Sequence, residues 1–272
     1  MLLADLHVHS NNSPDADDSV DDLCAAAVAK KLAYIAITDH CDIDVYIKDR
    51  YESRIKQSYL DMLNAQDTFD GKVGIIRGVE LGNALSDAVL SEKVAESRPY
   101  DVVLGSQHHV SNMDDFASID YDRVDPVPLL HQYFDEVGAL IDWGKFDVLT
   151  HLTYPFRYIN GIYHKGIDIR DFYPQIETVL KKLVASDKAL EINTSGLRQP
   201  YGQTLPGLGE LELYRSLGGK LITIGSDAHC KEDVGANIID GMRLAKKAGF
   251  GEYFIYKQRV PVAARIDAPA QA

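Results

Sequence analysis

Short apolar segments alternate with amphipathic segments along nearly the whole chain. Runs of strand length predict strands over residues 2–8, 33–38, 73–79, 101–105, 146–150, 189–193 and 220–225. The segments between them predict helices over residues 19–31, 50–69, 86–96, 128–143, 169–185, 207–217 and 234–248. Strands that never follow one another directly, and that are apolar on both faces, indicate a parallel α/β sheet covered by helices. A closed barrel and an open doubly wound sheet both satisfy this pattern.

The first strand carries polar residues on one face only. Asp5, His7 and His9 alternate with Leu6 and Val8, and the two-residue period of a strand places the three polar side chains on the same side. Two imidazoles at this spacing can bind one divalent metal ion. Taken alone, the pattern is equally consistent with hydrogen-bonded histidines in a polar strand.

Every predicted strand except the sixth is followed by a side chain able to bind metal. These side chains are His7 and His9, His40, Glu80, His108, His151, and Asp227 with His229. In a closed barrel the carboxyl ends of all strands meet at one face, which is the face that carries active sites. An open sheet would hold these residues too far apart to share metal ions. The distribution therefore favours the barrel and a metal centre at its carboxyl face.

Composition limits the classes of partner. The 272-residue chain has a formal charge of −13, which disfavours binding to nucleic acid. The apolar runs are too short to cross a bilayer, and the first residues do not resemble a signal peptide, so we expect a cytoplasmic protein without membrane contact. Three cysteines without zinc-finger spacing indicate reduced thiols.

Six segments together resemble the ordered motifs of one superfamily. They are Asp5-Leu6-His7-Val8-His9, Thr38-Asp39-His40, Gly78-Val79-Glu80, Ser106-Gln107-His108, His151 and Ser226-Asp227-Ala228-His229. In this order they are similar to the motifs of the polymerase and histidinol phosphatase (PHP) superfamily, in particular its histidinol-phosphatase-like members. The resemblance implies a distorted, TIM-like (β/α)7 barrel over residues 1–272, with two or three divalent metal ions. It also agrees with the seven strand–helix units counted above.

The resemblance implies three groups of ligands when it is carried over position by position. The first group is His7, His9, Glu80 and Asp227; the second is Glu80, His108 and His151; the third is Asp15, His40 and His229. Asp15 stands where some members have histidine, and a carboxylate can replace imidazole at zinc, iron or manganese. The alternative for Asp15 is a solvated acidic loop. The mixed nitrogen and oxygen ligands do not discriminate among these three metals.

The predicted cluster suits the hydrolysis of phosphate esters. Metal ions about 3.5–4 Å apart, bridged by Glu80, lower the pKa of a shared water towards neutrality and so provide a hydroxide nucleophile. They also offset charge that develops on the phosphoryl oxygens. Asp227 and His229 are both candidates to assist the leaving group, and the sequence does not choose between them.

Phosphate binding also requires cations that are not metal ligands. Arg157 and Arg198 lie in the loops after the fifth and sixth strands, and a guanidinium matches phosphate oxygens. Arginines in these two loops are also a feature that the resemblance to histidinol-phosphatase-like members implies. The alternative is that both are surface arginines. His109, which follows His108, is open between a contact with substrate and a contact with solvent.

We therefore predict a metal-dependent phosphomonoesterase whose substrate is a small phosphate ester, with L-histidinol phosphate as the first choice. The same machinery acting on phosphotyrosine or a nucleotide is the alternative, and a non-catalytic metal-binding accessory domain is a third possibility from a different class. The oligomeric state is left open. We expect the segment after about residue 260 to fray, because it is rich in alanine and proline.

Overall fold

Parallel strands form a nearly closed barrel in the computed structural model, which describes residues 2–266. The hydrogen-bonded order is β1-β2-β4-β5-β6-β7-β8, and β3 pairs with β4. The strands are β1 Ala4–Val8, β2 Tyr34–Ile37, β3 His40–Asp42, β4 Gly74–Gly82, β5 Val102–Ser106, β6 Val148–Leu149, β7 Ala189–Asn193 and β8 Ile222–Gly225. The predicted fold class, a distorted TIM-like (β/α)7 barrel, is confirmed.

The helices lie between successive strands, as the alternation of apolar segments predicts. They are α1 Val20–Ala29, α2 Tyr51–Thr68, α3 Ala88–Glu96, α4 Pro126–Trp143, α5 Tyr173–Ala185, α6 Leu208–Ser216 and α7 Ile238–Lys247. Local sequence explains where some of them begin: the Ser19 hydroxyl accepts the Asp22 N–H at 3.2 Å, and the Asp125 carboxylate accepts the Val127 N–H at 3.0 Å. None of the helices in residues 2–266 combines the length and the apolarity needed to cross a membrane.

Eight strands fill only seven positions because β2 and β3 share one of them. The first half of β4 pairs with β2, from Gly74 to Arg77, and its second half pairs with β3, from Glu80 to Gly82. Residues 38–39 interrupt the shared position. The barrel closes between its last and first strands, where Val8 and Ala228 form a bridge and the Asp227 N–H donates to the His7 carbonyl at 2.8 Å. Closure therefore brings the first and last sequence motifs into contact.

Several boundaries differ from the sequence prediction. The predicted strand over residues 146–150 shrinks to two residues, and His151 directly after it has a φ of 23°. The predicted third helix begins as a 3-10 turn over Ala84–Asp87, and α7 begins at Ile238, four residues late. A π-helix over Arg157–Ile162 was not predicted at all. The deviations at residues 151 and 157–162 lie beside the barrel's carboxyl face.

The prediction of a frayed end was wrong for residues 260–266. Two antiparallel strands, β9 Glu252–Lys257 and β10 Val260–Arg265, form a hairpin there. Residues 267–272, the rest of that predicted tail, lie outside the described part of the chain. Gln258 and Arg259 form the turn with φ values of 50° and 66°, a conformation typical of two-residue hairpin turns.

Long-range contacts hold the hairpin at the amino-terminal end of the barrel. The Asp101 carboxylate accepts the Gln258 N–H at 3.0 Å, and the Arg259 guanidinium pairs with Asp147. Tyr256 is only 4% exposed and borders a small apolar cavity together with Leu6, Ala36 and other strand residues. The hairpin therefore covers the end of the barrel opposite to the predicted active site.

Candidate metal centre and active site

A cavity of about 290 Å³ opens at the carboxyl ends of the strands. Six of the predicted metal ligands border it: Asp15, His40, His108, His151, Asp227 and His229. The remaining three, His7, His9 and Glu80, are completely buried. The structure therefore brings all nine predicted ligands to one end of the barrel, as the strand-end pattern predicts.

Glu80, near the carboxyl end of β4, lies at the centre of this group. Its Oε2 is 3.3 Å from His7 Nε2, 3.5 Å from His9 Nε2 and 2.9 Å from His40 Nδ1. The other carboxylate oxygen, Oε1, is 3.1 Å from the Nε2 atom of His151 and 3.5 Å from that of His108. One carboxylate thus faces five imidazole rings, which suits a bridge between two cations.

Two other predicted ligands, Asp227 and Asp15, lie in the outer parts of the cluster. Asp227 Oδ1 is 3.3 Å from His9 Nε2 and 3.8 Å from His7 Nε2. Asp15 Oδ2 lies 3.6 Å from His40 Nε2 and 3.2 Å from His229 Nε2, although the Asp15 side chain is 58% exposed. The three groups named from the sequence therefore correspond to three sets of neighbouring side chains.

Unpaired buried atoms test whether these side chains fit metal ions. His7 Nε2, His9 Nε2, His40 Nδ1 and Glu80 Oε2 are buried and make no hydrogen bond within residues 2–266. Buried nitrogen and oxygen atoms without partners are costly, and here they converge on one another. Three overlapping groups, His7-His9-Glu80, His40-Glu80-His108 and His9-His40-His229, have ligand atoms within 4.8 Å. The donor set therefore fits borderline divalent ions such as zinc, iron or manganese.

Charges within the cluster offset one another. Burial raises the pKa of Glu80, but the neighbouring imidazoles of His7, His40, His108 and His151 together lower it well below its usual value. Burial lowers the pKa of His7, but neighbouring carboxylates, first of all Glu191, raise it well above its usual value. Burial and the neighbouring imidazoles lower the pKa of His9 to about 3, so this ring is neutral, which is the form that binds metal.

Two buried aspartates of the sequence motifs hold loops of the site in place. Asp5 accepts the Ser226 N–H and hydroxyl and the Gly235 N–H, at 2.5–2.8 Å. Asp39 accepts hydrogen bonds from the hydroxyls of Ser10, Ser13 and Ser58, at 2.6–2.8 Å. The sequence indicated both aspartates as parts of motifs but not these roles, because their partners come from loops and helices far along the chain.

Arg157 lies at the cavity, and the π-helix that it begins presents its guanidinium there. The guanidinium carbon is 4.4 Å from the ring centre of Tyr154 and 5.0 Å from that of Tyr158. Nη1 donates to the Ser195 hydroxyl at 3.2 Å and lies 3.6 Å from Asp227 Oδ2. Nε is buried without a hydrogen-bond partner among the described residues, so an anion in the cavity would provide one.

Arg198 is close to the site but does not border the described cavity. Its Nη2 donates to the Ser226 carbonyl at 2.9 Å, and its Nε pairs with Asp233 at 3.1 Å. Nη1 is buried and has no hydrogen-bond partner within residues 2–266. A role in phosphate binding therefore stays a prediction for this residue.

His109 also lies outside the cavity lining. Its Nε2 is 3.3 Å from Asp44 Oδ2, and its Nδ1 is 2.9 Å from the Val110 carbonyl. The structure thus places His109 beside a carboxylate, and contact with substrate stays a prediction.

The PHP domain family model matches residues 5–195, which include seven of the nine predicted ligands. The chain belongs to the PHP domain family. The resemblance stated from the motifs is confirmed.

Members of this family and known structures align with nearly the whole PHP chain. A Thermotoga maritima protein named probable histidinol-phosphatase is 28% identical over 249 residues, which cover 91% of this chain and 93% of that protein. The crystal structure of histidinol phosphate phosphatase from Lactococcus lactis, complexed with zinc, L-histidinol and phosphate, has a TM-score of 0.79 at 24% identity and covers 96% of this chain and 98% of that one. A chain from the structures of the metal-dependent tyrosine phosphatases YwqE of Bacillus subtilis and CpsB of Streptococcus pneumoniae has a TM-score of 0.51 at 16% identity, covering 90% and 87%.

Proposed function

We propose that the protein is a metal-dependent phosphomonoesterase that hydrolyses L-histidinol phosphate to L-histidinol and phosphate. One observation carries the reaction class: Glu80 faces five imidazoles beside a cavity that also contains the Arg157 guanidinium. The choice of substrate is supported by relatives that are named histidinol-phosphatases and align over nearly their full length.

The proposed ligands are His7, His9, Glu80 and Asp227 for one ion, Glu80, His108 and His151 for a second, and Asp15, His40 and His229 for a third. When bound, such ions make water nucleophilic at neutral pH and offset negative charge on phosphoryl oxygens. The protein's own part is to hold the phosphate against them. Arg157 supplies charge-assisted hydrogen bonds to phosphate oxygens, and the two tyrosine rings fix its plane. Asp227 and His229 border the cavity and remain the candidates to assist the leaving oxygen, which would take up the proton that the nucleophilic water gives up.

The cavity also suits a substrate that carries a positive charge. Asp115 borders it, and the Asp115 Oδ1 atom accepts the Tyr154 hydroxyl at 3.1 Å and the Ala117 N–H at 2.7 Å. This carboxylate is not among the proposed ligands, so it is available to an ammonium group. Histidinol phosphate combines such a group with a phosphate monoester.

Phosphate release from matched substrates tests the proposal. The zinc- or manganese-loaded protein should release inorganic phosphate from histidinol phosphate with a higher kcat/KM than from an aryl phosphate or a phosphotyrosine peptide. A higher kcat/KM on the peptide would instead support the alternative substrate. Absence of release from all three substrates, with metal bound, would reject the enzyme and favour an accessory metal-binding domain.

We also keep two broader proposals from the sequence. The chain forms one domain, because the buried apolar residues from Ala4 to Ile266 belong to a continuous core. A cytoplasmic location is supported by Cys24, Cys41 and Cys230, which are all free thiols.

A further inference from the structure

Strand β7 of the barrel contributes no predicted metal ligand. It does contribute the carboxylate of Glu191, which, of the described carboxylates that are not predicted ligands, lies closest to the cluster of predicted ligands. Glu191 of β7 is 1% exposed, and its hydrogen-bond partners His7, His151 and Asn193 are buried as well. Its Oε1 is 2.7 Å from His7 Nδ1, while its Oε2 accepts hydrogen bonds from the His151 backbone N–H at 2.9 Å and from the Asn193 side-chain Nδ2 at 3.1 Å. One side chain therefore touches a proposed ligand of the first ion and a proposed ligand of the second.

The contact with His7 determines which ring nitrogen carries the proton. Nε2 of His7 faces Glu80 and Asp227, so this nitrogen must be free of hydrogen to bind an ion. The proton of the neutral ring then lies on Nδ1 and is donated to Glu191. A carboxylate in this position fixes the tautomer and the ring plane of a metal-binding histidine.

The contact with His151 acts on the backbone. His151 has a φ of 23°, a value that residues other than glycine rarely adopt. Its N–H points to Glu191 Oε2, and this hydrogen bond holds the backbone where His151 Nε2 reaches Glu80 Oε1 at 3.1 Å. Glu191 is the only hydrogen-bond acceptor of this N–H among the described residues, so loss of the carboxylate would leave the N–H unpaired.

The neighbouring strand leaves the space that Glu191 needs. A Cβ atom at Gly225 of β8 would lie 2.4 Å from His7 Cβ and 2.6 Å from Glu191 Oε1. Any side chain at position 225 would therefore enter the contact between the carboxylate and the imidazole. Glycine at position 225 therefore permits the contact between Glu191 and His7.

We propose that Glu191 is a positioning residue that couples two of the metal sites, holding His7 in the tautomer that binds one ion and His151 in the backbone conformation that binds another. This inference rests on the proposed metal-dependent function. Both oxygens of Glu191 accept hydrogen bonds from ligand residues, and a glutamine has only one acceptor oxygen. Glutamine can therefore satisfy His7 or His151 but not both.

Metal binding by the E191Q and E191A variants tests the proposal. Titration of the metal-free proteins with Mn²⁺, followed by calorimetry, and metal content after dialysis would be compared with wild type. E191Q should lower the affinity for at least one ion by about 10–100-fold, and E191A should lower the affinity for two ions. Ring ¹⁵N spectra of the zinc-loaded protein should show Nδ1 of His7 protonated in wild type and changed in E191Q.

The same substitutions at Glu210 provide a matched control. Glu210 is also a buried glutamate, 5% exposed, but its partners are the N–H of Gly207, directly before α6, and the hydroxyl of Tyr173 in α5. E210Q should bind Mn²⁺ as wild type does. The proposal is overturned if E191Q retains wild-type affinity for every ion, or if E191A lowers the affinity for one ion alone. A wild-type protein that binds no Mn²⁺ or Zn²⁺ would instead overturn the proposed function itself.

Discussion

Arg157 and Arg198 show how differently two arginines predicted for the same role can be placed. Both carry a buried nitrogen without a hydrogen-bond partner among the described residues. Arg157 borders the cavity between two tyrosine rings and donates one hydrogen bond to Ser195, whereas Arg198 lies outside the cavity lining and is held by both Ser226 and Asp233. Because a guanidinium already held by protein groups gains less from a phosphate, we expect the two residues to contribute unequally.

The R157A variant should lose activity while keeping its metal. A charge-assisted hydrogen bond is worth about 1.5–3 kcal/mol, so kcat/KM for a phosphate monoester should fall by about 10–100-fold. R198A should show a smaller loss, and both variants should retain the wild-type metal content. R157K should recover part of the activity, because it restores charge without the planar fork. A larger loss in R198A, or loss of metal in either variant, would contradict this ranking.

The placement of the proposed ligands was predictable because position at a strand end is a property of the local pattern. His40, Glu80 and His151 each follow an apolar run, so the sequence alone placed them at one face. The contacts that support them were not predictable in this way. Glu191 contacts His7 across 184 positions of the chain, and such pairs leave no periodic signal.

At the scale of elements, the barrel strands were predicted well and the last hairpin was missed. A buried parallel strand carries a continuous apolar run, which is visible in the sequence. Strand β10 contains Pro261, which is unusual in a buried strand, and its Val260 and Val262 side chains are exposed. The hairpin is instead held in place by long-range contacts, chiefly those of its turn with Asp101 and Asp147.

Substitution of Asp101 should loosen this hairpin in a pH-dependent manner. Burial raises the pKa of Asp101, but hydrogen bonds from Arg77 and the Gln258 N–H outweigh burial and lower it. A carboxyl group with a lowered pKa stabilises the fold above its unfolded value of about 3.9, and the contribution is lost as pH falls through the folded value. D101N should therefore lower the free energy of unfolding at pH 7 by about 1–3 kcal/mol, and by less towards pH 3.

Thermal unfolding of D101N and wild type between pH 7 and pH 3 checks this expectation. For a chain of this size, 1 kcal/mol corresponds to about 2–4 °C in Tm. D114N, which changes an exposed aspartate, controls for the loss of one negative charge. A difference between wild type and D101N that stays constant or grows as pH falls would exclude the proposed ion-pair contribution.

At the scale of the whole molecule, the proposed metal centre connects nearly every strand position of the barrel. Its ligands follow or belong to β1, β3, β4, β5, β6 and β8, and Glu191 adds β7. Ions bound at this end would therefore join strands that otherwise meet only through their hydrogen-bonded neighbours. The hairpin covers the opposite end and contacts none of the proposed ligands in its described hydrogen bonds.

Metal removal should consequently lower the stability of the whole fold. An ion that binds only the folded state contributes about 2.7 kcal/mol at one hundred times its Kd, so loading each site should raise Tm by about 5–10 °C. E80Q should lose most of this increment, because Glu80 faces five of the proposed histidine ligands. D101N should keep the full increment, since effects at distant sites without shared partners add. Melting curves with Mn²⁺ and with a chelator measure both, and an unchanged increment in E80Q would remove Glu80 from the centre of the site.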